Sequence, residues 1–178
     1  TDDKRIVLFG AASSENRRKG FHCLLNAWSA MPRETVRGVM FGGGEAPSLG
    51  SDQAEIRHLG FISDAEKLRL VYSAADLFVL PSLEDNLPQT GMEAMSCGTP
   101  VVAFAAGGFP DYVRPGETGS LAPTGDSKAL AREICHLLEH PERRHRMGIR
   151  ARQMMAEEYS QPIESARYVD FFRSIVPA

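Results

Sequence analysis

The chain has 178 residues, 43% of them hydrophobic and 24% charged, with a formal net charge of −3. That length suits one domain with its own core, and the charge excludes a global basic field that would gather nucleic acid or an anionic membrane. No apolar run is long enough to span a bilayer, and the opening TDDKRIVLFG lacks the pattern of a signal peptide.

In chain order, RIVLFG (5–10) is a short apolar run expected as a buried strand. FHCLLNAWSAM follows, with Phe21, Leu24, Leu25 and Trp28 at helical spacing. VRGVMFGGG is a second strand ending in glycines, and IRHLGFI a third, shorter one. DAEKLRLVYSAA is a helix with Asp64 as its cap and Leu68, Val71 and Tyr72 on one face. DLFVLP is a strand stopped by Pro81, and TPVVAF is another. Between them Pro88 fits the first position of a helix, where a missing N–H costs little. SKALAREICHLLEH is amphipathic, and two further helices, from Glu142 and from Pro162, finish the chain. Apolar strands alternating with helices predict an α/β domain, a Rossmann-like parallel sheet flanked by helices, as a single unit over 1–178. The odd, widely spaced Cys23, Cys97 and Cys135 fall in expected helices, which fits reduced, packed thiols in a cytoplasmic protein.

In such folds a ligand lies outside the carboxyl ends of the strands, so candidate residues follow the strands directly. After the first strand, GAASSENRRKG offers Asn16 as a helix cap, with Arg17, Arg18 and Lys19 suited to an anionic group. FGGGEAP is not a dinucleotide fingerprint, because Pro47 stands where the third glycine belongs. PSLEDNLPQTGMEAM crowds Glu84 and Asp85 at a helix mouth and sets Glu93 early in the helix, with Gln89, Thr90 and Cys97 on its face. Clustered carboxylates repel, and a ligand rich in hydroxyls, such as a sugar, offsets that repulsion through charged hydrogen bonds. AAGGFPDYV adds two glycines for close backbone approach, with Asp111 opening a short helix. His136 and His140 stand one helical turn apart, but no third metal ligand is evident beside them. PERRHRMGIRARQMM is locally basic, with Met147, Ala151 and Met154 expected inward and a peripheral membrane contact as the other reading.

Taken together, PSLEDNLPQTGMEAMSCGTPVVAFAAGGFPDYVRPGETGSLAP resembles the donor-binding core of retaining GT-B glycosyltransferases of the GT4 family. That family carries an acid, seven residues and then Glu, a separation that Asp85 and Glu93 share. Gly107 to Val113, Gly116 to Leu121, RKGF, GGGE and LGFIS fit the family pattern in order. The resemblance implies that Glu93 holds the ribose and that Asp85 lies near the transferred sugar. It implies that the loop Asn86, Leu87, Pro88, Gln89 and Thr90 meets sugar and diphosphate through its backbone. Lys19 matches the lysine that neutralises the diphosphate, and Ile62 and Ser63 match the base contact.

Three departures stand beside these matches. Asp85 replaces the usual Glu with Glu84 beside it, so either acid is a candidate for the sugar. NLP replaces GFG, and GAAS stands where the family has an arginine, leaving Arg17 or Arg18 to substitute. The resemblance further implies transfer with retention, no metal or other cofactor, and a donor that is a nucleotide-diphosphate sugar. It also implies an amino-terminal GT-B domain as partner and a sugar or lipid-linked acceptor, in the cytoplasm or peripheral to the cytoplasmic face of a membrane. A non-catalytic nucleotide-sugar-binding module and a GT-B nucleotide-sugar epimerase are the alternatives.

Overall fold

The computed structural model describes residues 3–11, 16–43, 47 and 49–176. Residues 12–15 of the expected loop 10–20 and 44–46 of the glycine stretch 41–47 therefore lie outside the described residues. Among the described residues six strands form one fully parallel sheet: β1 (Arg5–Ala11), β2 (Val36–Gly42), β3 (Ile56–His58), β4 (Leu77–Leu80), β5 (Val101–Phe104) and β6 (Gly119–Ala122). Their order is β3-β2-β1-β4-β5-β6, so the direction of winding reverses between β1 and β4. A crevice opens at such a reversal, outside the carboxyl ends of the strands. Among the described residues seven helices connect or flank the strands: α1 (Phe21–Trp28), α2 (Ala65–Ser73), α3 (Gln89–Ser96), α4 (Phe109–Tyr112), α5 (Ser127–Glu139), α6 (Pro141–Glu158) and α7 (Gln161–Ile175).

Several boundaries differ from the sequence reading for local reasons. The third strand stops at His58, and Leu59 to Ile62 runs on as a loop. The strand β6 was not expected, because GSLA carries little apolar signal and pairs only at the sheet edge with β5. Asp64 caps α2 as expected, accepting from the Glu66 and Lys67 amides at 2.9 and 3.0 Å. Asn16 does not cap α1: it accepts from the Arg18 amide and caps a 3-10 turn, Arg17–Lys19, before Gly20 opens the helix. Pro88 stands at the cap of α3 and not at its first residue.

The core is built from both faces of the central strands. Leu8 faces Val39 and Phe78 across neighbouring strands, and all of β4 and β5 is buried. The rings of Phe41, Tyr72 and Phe78 pack with centroids 5.4–6.4 Å apart. Trp28 is fully buried and donates its ring N–H to the Ala54 carbonyl at 2.7 Å. Cys23, Cys97 and Cys135 are free thiols, and burial pushes the last two above the usual thiol range. Met147, Ala151 and Met154 face inward from α6, as their spacing requires. Arg144 departs from the expected basic face, because its side chain turns inward with them.

That arginine completes a clamp at the amino-terminal edge of the sheet. Asp76, just before β4, accepts from the Ile6 amide at 2.8 Å and from Arg144 at 2.6 Å. Arg144 also donates to the Leu137 carbonyl at 2.9 Å. One carboxylate thus ties β1, β4 and the turn between α5 and α6. By contrast α7 has no buried residue and exposes Tyr168, Val169, Phe171, Phe172 and Ile175.

Breaking the clamp from one side strands a buried guanidinium. Asp76→Ala is expected to lower unfolding free energy in urea by about 3–5 kcal/mol. A loss below about 1 kcal/mol, the value of an exposed pair, would contradict the clamp.

Candidate functional site

Three loops converge at the carboxyl edge of the sheet, and glycine backbone brings them together. Gly20 has φ +64, and a Cβ there would overlap the Pro81 carbonyl at the end of β4. The Leu83 amide donates to the Arg18 carbonyl at 2.7 Å, fastening the same two loops. On the other side Gly107, at φ +51, and Gly108 lie against the carbonyls of Asp85 and Asn86, where any Cβ would collide. The Gly108 amide donates to the Asp85 carbonyl at 3.2 Å. The close approach expected of this glycine pair is therefore made by the acid loop itself.

Held from both sides, the acid loop presents Asp85 to Lys19 at 2.6 Å. The two side chains are 18% and 36% exposed, so the pair is open to a ligand from one side. A cleft of about 340 Å³ lies over the reversal, with Lys19, Ile62, Asp85, Pro88 and Thr90 on its walls. A smaller hollow shares Lys19 and Asp85 and adds Arg18, Glu84 and Asn86. Glu84 is exposed, and Asp85 alone of the two acids lines both spaces. Arg17 and Ser63 are exposed and line neither.

Glu93, Leu87 and Gln89 line a different hollow, between α2, α3 and the end of α6. There Glu93 accepts from the Tyr72 hydroxyl at 2.9 Å. Burial and the neighbouring carboxylate push the Tyr72 phenol far above its ordinary range, so it stays protonated and donates. The sequence reading placed Tyr72 only on the core face of α2. It also missed Phe61, which is 82% exposed at the lip of the main cleft. An aromatic so exposed is a signal only once the end of β3 is known.

The remaining chemistry of the cleft comes from α3. Its cap, Pro88, makes no side-chain hydrogen bond to the first turn, and that turn contains no acid. The helix itself therefore supplies nothing to offset its positive end, and Pro88 and Thr90 there line the same cleft as Lys19 and Asp85. Cation, carboxylate and helix terminus together suit a ligand carrying both an anionic group and hydroxyls. Among the described residues no group of three or more His, Cys, Asp or Glu side chains is placed to hold a metal ion. His136 and His140 lie with ring centroids 4.4 Å apart, tilted by 43° to one another. No helix of the described residues is long and apolar enough to cross a membrane.

Comparison with known proteins gives a consistent result. Residues 3–140 match the family model of glycosyl transferases, group 1. The D-inositol 3-phosphate glycosyltransferase of Corynebacterium efficiens is 33% identical over 144 residues, covering 73% of this chain and 34% of the relative. Sucrose-phosphate synthase from Thermosynechococcus elongatus superposes with a TM-score of 0.83 at 30% identity, over 98% of this chain and 46% of that one. HepE of Anabaena, solved in complex with UDP-glucose, gives 0.81 at 22% identity, over 97% and 49% of the two chains. The chain thus spans about a third of the length of the curated relative and about half of each structural neighbour.

The grip on the acid loop is open to test without any ligand. Gly108→Ala is expected to cost about 1–3 kcal/mol through overpacking and to shift the amide resonances of residues 85–90. A variant with unchanged stability and unchanged resonances would show that the loop is not held this way.

Proposed function

This chain belongs to the glycosyl transferases of group 1 and has the Rossmann-like architecture of a GT-B domain, and from that premise we propose that it is the donor-binding half of a retaining enzyme. The enzyme moves a sugar from a nucleotide-diphosphate sugar to a hydroxyl of a sugar or lipid-linked acceptor. The convergence of Lys19, Asp85 and the uncapped start of α3 on one cleft carries the proposal. The diphosphate lies against the amides of the α3 mouth and Lys19, with Arg18 beside them. Asp85, in preference to Glu84, faces the sugar. Ile62 and Phe61 border the base, and Glu93, which lines the hollow on the other side of the α3 mouth with one oxygen held by Tyr72, takes the ribose role that the family resemblance gives it. A neighbour of the same fold holds UDP-glucose, which supports a UDP-sugar among the donors to try first.

In the reaction the bond between the anomeric carbon and the leaving phosphate oxygen breaks. The acceptor oxygen bonds to the same face of the sugar, and its proton passes to the leaving diphosphate. Negative charge grows on that diphosphate, where Lys19 and the helix dipole are already in place and need no reorganisation. These groups do the work without a metal ion. An amino-terminal GT-B domain outside this chain supplies the acceptor site, and its surface covers the apolar side of α7. The share of each relative that lies outside this chain supports that arrangement.

The experiment is thermal unfolding with UDP, GDP, ADP and their glucose conjugates, in the presence of EDTA. Ligand at a hundred times its Kd stabilises by about 2.7 kcal/mol, so one base is expected to raise Tm clearly. Lys19→Ala and Glu93→Ala should each diminish that shift. In the full-length enzyme, Lys19→Ala is expected to lower kcat by roughly 10²–10³, with products that keep the donor's anomeric configuration. No shift with any nucleotide at millimolar concentration, a shift that needs a divalent cation, or an inverted product would contradict the proposal.

A further inference from the structure

Among the described residues, the buried polar or charged side chains are those of Ser82, Thr99, Thr118 and Arg144. Three of them have partners inside the protein. Thr99 donates to the Tyr72 carbonyl at 2.7 Å, Thr118 to the Tyr112 carbonyl at 3.0 Å, and Arg144 to Asp76 at 2.6 Å. Ser82 is 3% exposed, and its hydroxyl makes no hydrogen bond to a described residue.

A buried hydroxyl without a partner forfeits its hydration, and folded proteins leave few of them so. The position of Ser82 supplies a reason. It stands two residues past β4, on the wall of the cleft that Lys19 and Asp85 share. Its oxygen is not shut in: among the described residues, the enclosed side-chain atom without a partner is the Tyr112 hydroxyl. The Ser82 oxygen therefore keeps an opening, and the space its residue borders is the cleft. A partner for it comes from whatever occupies that space.

The backbone on either side of Ser82 is pinned to the loop that carries the lysine. The Pro81 carbonyl lies against Gly20, and the Leu83 amide donates to the Arg18 carbonyl at 2.7 Å. The acid loop beyond it is gripped from the other side, by Gly107 and Gly108. Ser82 thus belongs to the lysine side of the cleft, where an anionic group lies. A hydroxyl donates most strongly to an anionic oxygen. Lysine supplies charge on a flexible stem, whereas a hydroxyl on pinned backbone adds direction.

We propose, resting on the donor-binding reading above, that Ser82 is a donor-contacting residue: its hydroxyl donates a hydrogen bond to an oxygen of the diphosphate that Lys19 neutralises.

Two measurements on the wild-type domain and Ser82→Ala test this. The first is thermal unfolding without ligand. Ser82→Ala is expected to hold or raise Tm, because the hydroxyl it deletes serves nothing within the domain. A lowered Tm would reveal a partner inside the protein and overturn the assignment. The second is calorimetric titration with UDP, GDP, ADP and their glucose conjugates. The nucleotide that binds wild type is expected to bind Ser82→Ala roughly tenfold or more weakly, the loss of a hydrogen bond to a charged group. The factor should be the same with and without the glucose. Unchanged affinity, or a loss confined to the glucose conjugate, overturns the proposal and leaves the donor-binding reading standing. If wild type binds none of the six, the donor-binding reading itself fails and this proposal falls with it.

Discussion

Three stretches of backbone meet at the carboxyl edge of this sheet closer than side chains allow. Gly20 lies on the Pro81 carbonyl, and Gly107 and Gly108 lie on those of Asp85 and Asn86. That contact fixes the separation of Lys19 and Asp85, and with it the position of the cleft. The sheet order makes the contact available, because β1, β4 and β5 are neighbours at and beside the reversal. At the opposite edge the Asp76 carboxylate and Arg144 hold β1 and β4 in step. The two loops that follow those strands therefore emerge side by side.

Much of the fold was legible in the residues. Continuous apolar strands, helical spacing in α1 and α5, and the capping aspartate of α2 each announce their element through short-range chemistry. The strand β6 was not legible, since Gly119 and Ser120 carry no β preference and the strand exists only through pairing with β5. Asn16 shows the limit of a capping argument. Its side chain does cap, but it caps a 3-10 turn, because Gly20 must interrupt the chain to let Pro81 approach.

The residues that line the candidate cleft were more legible than its geometry. Lys19, Asp85, Ile62, Pro88 and Thr90 do share one cleft, and the helix mouth with crowded acids is where the sequence pointed. Spacing along α3 could not reveal that Glu93 turns toward Tyr72, since the partner comes from another helix. Nor could it reveal that Phe61 stands free at the lip, or that Tyr112 reaches under Gly91. These are contacts between distant segments, set by packing and not by local pattern. The glycine pair at 107 and 108 illustrates the difference: sequence marks a close approach, and only the fold says what approaches.

The central claim is that a nucleotide-diphosphate sugar occupies the cleft between the lysine-bearing loop and the mouth of α3. The most direct measurement is amide chemical-shift mapping of the domain, titrated with UDP-glucose, GDP-glucose and ADP-glucose in turn. The account predicts that one of them moves the resonances of Lys19 and Gly20, of Phe61 and Ile62, and of residues 85–90. Shifts confined to the basic surface of α6, or no shift with any of the three, would contradict it.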